Sequence, residues 1–99
     1  MEININCDLG EKSVHHSNKN DPDLLAIVNS ASVACGYHAG DDQTMSEVVQ
    51  ISKKNGVSIG APPSFKDLEN FGRKRMNLSK SEIEKLIIEQ YEIIWLVKI

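Results

Sequence analysis

Short apolar segments alternating with helix-period segments constrain this chain more than any other feature of it. Ile3 and Ile5 alternate with polar residues and lead into Cys7, which predicts a first strand. Asp21-Pro22 predicts a helix start, with Asp as cap and Pro at the first helical position. That helix carries Leu24, Leu25, Ile27 and Val28. Ser32-Val33-Ala34-Cys35, stopped by Gly36, predicts a second strand. Asp41 and Asp42 open a second helix, where acidic groups complement the dipole. Its inner face is Met45, Val48, Val49 and Ser52, and Asn55-Gly56 closes it. Val57-Ser58-Ile59 predicts a third strand, ended by Gly60. After a loop over 61–78, Ser79-Lys80-Ser81-Glu82 is a capping box. It opens a long helix with Ile83, Leu86, Ile87, Tyr91 and Ile94 at spacings of three and four.

Strand, helix, strand, helix, strand, helix predicts an α/β fold with a parallel sheet and right-handed crossovers. Its 99 residues set one domain, 1–99. Three strands leave both sheet edges open, which exposes unpaired backbone. The segment Ile93 to Ile99 is nearly apolar all round, with Lys98 its one charge, which predicts something to pack on. Two readings fit it: an interrupted larger fold, or self-association through the C-terminal helix. Trp95 and Tyr91 read as packing residues there.

Composition excludes several classes. A net charge of -3, from 11 basic and 14 acidic residues, argues against a dedicated nucleic-acid binder. The longest run of uncharged apolar residues, Ile93 to Val97, is too short to span a membrane. The segment Met1-Glu2-Ile3-Asn4 has none of the charge and apolar patterning of a secretory signal. The expected compartment is therefore the cytoplasm, where Cys7 and Cys35 stay reduced.

Chemistry in a parallel sheet gathers at the carboxyl ends of the strands. Three segments lie there: Asn6-Cys7-Asp8-Leu9-Gly10-Glu11, Gly36-Tyr37-His38-Ala39-Gly40-Asp41, and Gly60-Ala61-Pro62-Pro63-Ser64. Neighbouring strands are about 4.8 Å apart, so Asp8, Glu11, His38 and Asp41 are expected to converge on one rim. Asp8 with His38 suits a hard-cation site or an acid–base pair. The alternative is that Asp8 caps a turn and His38 bonds to backbone. Cys7 and Cys35 read as buried small hydrophobes rather than nucleophiles. His15 and His16 read as solvent-exposed. The stretch from Gly36 to Gly40 is only loosely like a phosphate cradle, with neither a Walker nor a dinucleotide spacing. Arg73 is either an anion contact or, with Lys66, Lys74 and Arg75, part of a solvated basic edge.

Three motifs carry a resemblance: Asn6-Cys7-Asp8-Leu9-Gly10-Glu11, Ala34-Cys35-Gly36-Tyr37-His38-Ala39-Gly40-Asp41, and Phe71-Gly72-Arg73 with Leu78-Ser79 after it. In order and interval they resemble the LamB/YcsF family, the A subunit of the prokaryotic 5-oxoprolinase, over residues 2 to about 92. The resemblance implies the N-terminal part, about three β/α units, of a seven-stranded β/α barrel of the glycoside hydrolase and deacetylase type. It implies a hydrolase role in lactam utilisation: ATP-dependent opening of 5-oxo-L-proline to L-glutamate, with B and C subunits as partners and ATP bound. A divalent metal on Asp8 and His38 is a further candidate. By motif position, Asp8, Glu11, His38 and Asp41 carry over as the catalytic rim. Gly36, Gly40 and Arg73 carry over as substrate-binding residues. One departure stands out. The family usually reads Gly-Ala-His-Pro after the third strand, and here Pro62 stands in place of the histidine. That substitution and the chain's short length leave two other readings open: a non-catalytic remnant, or a small metal- or ligand-binding module.

Overall fold

The computed structural model describes residues 2–98. The elements are β1 (Asn6–Leu9), α1 (Asp21–Leu25), β2 (Ser30–Val33), α2 (Asp42–Lys54), β3 (Ser58–Gly60) and α3 (Lys80–Lys98). The three strands form one parallel sheet in the order β1-β2-β3. Asp8 lies opposite Ser32, and Ser32 opposite Gly60, so the three loops leave the sheet at one level. The predicted element order and the α/β class with a parallel sheet are what the structure shows.

Individual boundaries shift. The first strand starts at Asn6, because Ile3 and Ile5 find no surface to bury against and stay exposed. The second starts at Ser30 rather than Ser32, with Ala31 and Val33 facing inward. The third starts at Ser58. The first helix ends at Leu25, and Ile27 beyond it is exposed. Asn20 holds the cap position there, and Asp21 is the first helical residue.

The core lies between the sheet and α2. Leu9, Ala31 and Val33 meet Met45, Val48 and Val49, joined by Leu25, Val57 and Ile94. Ser52 is also buried, and its hydroxyl donates to the Val48 carbonyl at 2.7 Å. Asn55 ends α2 and donates its side-chain amide to the Leu25 carbonyl at 3.1 Å, which ties α2 to α1.

The capping box of α3 forms reciprocally. The Glu82 amide donates to Ser79 Oγ, and the Ser79 amide to Glu82 Oε1, each at 3.2 Å. The buried face of α3 differs from the predicted one. Of the periodic set only Ile94 is buried; Ile83, Ile87 and Tyr91 are exposed. Trp95 is also exposed, so the packing roles expected of it and of Tyr91 are not found. Gln90 is wholly buried instead. Its amide accepts from the Ser64 N–H at 2.9 Å and donates to the Ser64 carbonyl at 2.8 Å. A buried amide is stable only when satisfied, and here it anchors the loop after β3 to α3. Ile83, Leu86 and Ile87 line a groove of about 350 Å³ with Pro63 and Phe65. No helix of the described residues is long and apolar enough to cross a membrane.

Two loops meet at a glycine contact. Gly40 has φ +80°, and its N–H donates to the Lys12 carbonyl at 2.7 Å. A Cβ on Gly40 would lie 2.5 Å from the Gly10 carbonyl oxygen. Gly40→Ala combines a disfavoured backbone conformation with a backbone clash, and is expected to cost at least about 2 kcal/mol. Urea denaturation of the variant beside the unaltered chain checks this; equal midpoints would refute it.

Candidate functional site

The carboxyl ends of the strands open into a cleft of about 240 Å³ lined by Asp8, Glu11, His38, Pro62, Phe71 and Arg73, with Pro63, Ser64 and Gly72. Asp8 comes from β1 itself, and Glu11 from the turn after it. His38 sits in the loop after β2, and Pro62 after β3. The Gly10–Gly40 contact draws the first two loops together. As a result His38 Nε2 lies 2.8 Å from Glu11 Oε2. The imidazole is buried while the carboxylate is about a quarter exposed. Glu11 thus touches both His38 and the open cleft, the arrangement a proton relay needs.

The bond to Glu11 fixes the proton on Nε2, because a carboxylate only accepts. His38 Nδ1 is buried and has no partner. A bare nitrogen lone pair in that position costs less than an orphaned N–H would.

The Phe71-Gly72-Arg73 segment closes the third side. Asp67 organises it: its carboxylate accepts from the Asn70 N–H and side-chain amide and from the Lys74 N–H. Partial burial opposes ionisation of Asp67, but these donors outweigh it and hold the carboxyl below its ordinary range. The Asp67 N–H donates to the Tyr37 carbonyl at 2.9 Å, next to His38 in sequence. Phe71 has φ +57°, a conformation that costs a bulky residue about 1–2 kcal/mol. Gly72 follows at φ +72°, where a Cβ would lie 2.9 Å from His38 Cβ. The Phe71 ring meets His38 edge-on at 4.9 Å and stacks on His16 at 4.6 Å.

The other expected residues lie elsewhere. Asp41 does not line the cleft: it caps α2, accepting from the Thr44 N–H at 2.7 Å. That bond and the nearby Lys12 hold its carboxyl below the ordinary range. Gly36 and Gly40 do not line the cleft either. Their amides donate to the Ala39 and Lys12 carbonyls, so neither glycine N–H is free for an anion. Arg73 does line it, with its guanidinium 6.0 Å from the Phe71 ring. Among the described residues, no three His, Cys, Asp or Glu side chains form a group able to hold a metal ion. With Nε2 of His38 bonded to Glu11, the side chains present do not by themselves make a cation site. Cys7 and Cys35 are free thiols. Burial pushes the Cys35 thiol up to about 11, which suits a packing residue and not a nucleophile.

Sequence reasoning missed Phe71 as an aromatic wall of the cleft; His16 is exposed, as expected, and stacks on the Phe71 ring. Sequence reasoning also missed Asp21, whose Oδ2 accepts from the Gly10 N–H at 2.8 Å and so steadies the turn that carries Glu11. The signal available for Phe71 is its place before Gly72 in the Phe71-Gly72-Arg73 motif.

Burial raises the Asp21 carboxyl above its ordinary value; the Gly10 bond opposes this and Glu11 adds to it. A folded-state pKa above the unfolded one means that ionised Asp21 opposes folding at neutral pH. The penalty vanishes below about pH 4, where both states are protonated. Asp21→Asn keeps an acceptor for Gly10. It is expected to be more stable than the unaltered chain at pH 7, with the gap closing towards pH 4. Denaturant titrations at both pH values check this, and a gap that widens in acid would contradict it.

Comparison with known proteins identifies the family and agrees with the fold. The LamB/YcsF family model matches residues 3–98. The A subunit of 5-oxoprolinase from Staphylococcus epidermidis is 48% identical over 90 residues, which is 91% of this chain and 36% of that protein. Its counterpart in Staphylococcus carnosus is 42% identical over the same shares. The crystal structure of the lactam utilization protein from Thermus thermophilus superposes with a TM-score of 0.88 at 34% identity, covering 98% of this chain and 39% of that one. The chain therefore spans about a third of the length of the curated relatives it matches. The family model over residues 3–98 and these relatives show that the chain belongs to the LamB/YcsF family.

Proposed function

We propose that this chain carries part of the working site of the A component of a 5-oxoprolinase. The reaction adds water across the ring C–N bond of 5-oxo-L-proline. The ring nitrogen becomes the amine of L-glutamate and the carbonyl becomes its side-chain carboxylate. A lactam amide is unreactive, so the step is coupled to conversion of ATP to ADP and phosphate in the company of the B and C subunits. Such chemistry belongs in the cytoplasm, where ATP is supplied. The proposed frame is the N-terminal part of a seven-stranded β/α barrel.

The observation that carries this reading is the Glu11–His38 pair at 2.8 Å inside a cleft at the strand ends of a LamB/YcsF chain. In it, Glu11 exchanges a proton with the reacting centre, and His38 holds and stabilises the carboxylate. Asp8 orients the attacking water, and Arg73 meets the substrate carboxylate. Pro62 and Pro63 supply an apolar wall for the five-membered ring. No step of this reading runs through a metal ion.

Mixing the chain with 5-oxoprolinase B and C subunits tests it. ATP-dependent glutamate release above a blank lacking this chain is expected, reduced roughly 100-fold or more by Glu11→Gln or His38→Ala. Release no higher than the blank would sink the proposal. Pro62 favours a second reading, a non-catalytic remnant, since proline lines the cleft where the family usually has histidine. On that reading the unaltered chain is silent, and Pro62→His restores no release.

A further inference from the structure

We infer that Phe71 is the positioning residue of the Glu11–His38 pair, its ring clamped between His16 and His38 so that the imidazole keeps Nε2 on Glu11 and Nδ1 dry. The inference rests on the reading of that pair as the acid–base unit, and extends it to a residue that acts on the pair through His38.

Four observations converge on it. First, Phe71 is the one non-glycine residue with positive φ among the described residues. A large side chain persists in that conformation only where its surroundings impose it. Second, the imposing contacts are present. The Gly72 N–H donates to the Asp67 carbonyl at 2.8 Å and the Arg73 N–H to the Asn70 carbonyl at 3.0 Å, around the Asp67 carboxylate hub. Third, the strained backbone delivers the ring to two imidazoles at once: His16 lies nearly parallel at 26° and His38 nearly perpendicular at 86°. His16 is itself held through Nδ1 by Ser13 Oγ at 3.0 Å. Fourth, His38 Nδ1 is buried and unpartnered. Water at Nδ1 would offer it a hydrogen bond in either protonation state and weaken the preference for the proton on Nε2. The Phe71 ring, edge-on to the imidazole at 4.9 Å, is on this inference what keeps that water out. Glycine at 72 is part of the same device, since a side chain there would displace His38 at its Cβ.

This assignment separates two roles that the Phe71-Gly72-Arg73 motif combines. On the proposed reading Arg73 meets the substrate carboxylate, while Phe71, which also lines the cleft, acts on the pair through His38. Its effect on the chemistry is to keep Glu11 and His38 in one proton arrangement, so that Glu11 meets each substrate in the same state.

Long-range proton–nitrogen NMR on the ¹⁵N-labelled 99-residue chain reads the protonation of each ring nitrogen directly. Three chains are compared, at a pH where His38 is neutral: unaltered, Phe71→Gly and Phe71→Tyr. Glycine accepts the positive φ without strain, so it removes the ring while relaxing the backbone. In the unaltered chain and in Phe71→Tyr, His38 is expected as one tautomer with its proton on Nε2. In Phe71→Gly the tautomer ratio is expected to fall roughly threefold or more, the scale of one lost aromatic pair, while amide resonances of α2 and the sheet stay in place. A merely structural role for Phe71 would lower stability and leave the tautomer unchanged. An unchanged His38 in Phe71→Gly overturns the inference. So does an unaltered chain with the proton on Nδ1 or split between both nitrogens, which needs no variant to fold. The readout requires no turnover. A silent glutamate assay with a locked His38 therefore counts against the proposed function alone, and an active assay with an unlocked one against this inference alone.

Discussion

The close approach of Gly10 and Gly40 sets the geometry of the cleft. With no Cβ at Gly40, the loop after β2 packs against the Gly10 carbonyl of the loop after β1, and the Gly40 N–H closes on the Lys12 carbonyl. Asp21 adds a bond to the Gly10 N–H. Glu11 is then held between two fixed residues, Gly10 and Lys12, with its carboxylate against His38. A side chain at 40 would part the loops and with them the pair, so the electrostatic core of the cleft follows from a packing requirement.

The third wall rests on a different kind of contact. Gln90, wholly buried on α3, satisfies both backbone groups of Ser64, and Asp67 gathers the turn that carries Phe71. These are buried polar anchors, and each is nearly saturated. Their energetic weight lies in what their loss would leave unpaired, more than in what the bonds themselves contribute. The apolar face of α3, by contrast, stays largely open, with Ile88, Trp95 and Leu96 more than half exposed. In the relatives, whose chains are far longer, more than half of the fold has no counterpart in these residues.

Much of this organisation was legible in the residues. The order of elements, the Asp41 start and Asn55-Gly56 stop of α2, and the Ser79–Glu82 box all rest on chemistry within one turn of chain, and all are present. The convergence of Asp8, Glu11 and His38 was legible too, because parallel strands deliver their loops to one edge whatever the loop detail. What failed needed knowledge of partners. Periodicity marked Ile83, Ile87 and Tyr91 as the inner face of α3, yet the helix turns Gln90 inward because Ser64 is there to satisfy it. Asp41 looked like a rim acid, and its carboxylate is consumed by the Thr44 N–H one turn away.

The α/β class, the helix ends and the three loops that hold the chemistry are written in the residues alone, through local hydrogen bonding and the period of apolar side chains. Three outcomes were settled only in the folded chain: which of the marked residues share a cleft, that Glu11 rather than Asp8 bonds His38, and that Phe71 sits in a strained conformation between two histidines. Contacts of this kind join segments 27 to 55 residues apart, as between Glu11 and His38 or His16 and Phe71. A one-dimensional pattern names the residue types available, while the distance between two side chains is set by every element packed between them.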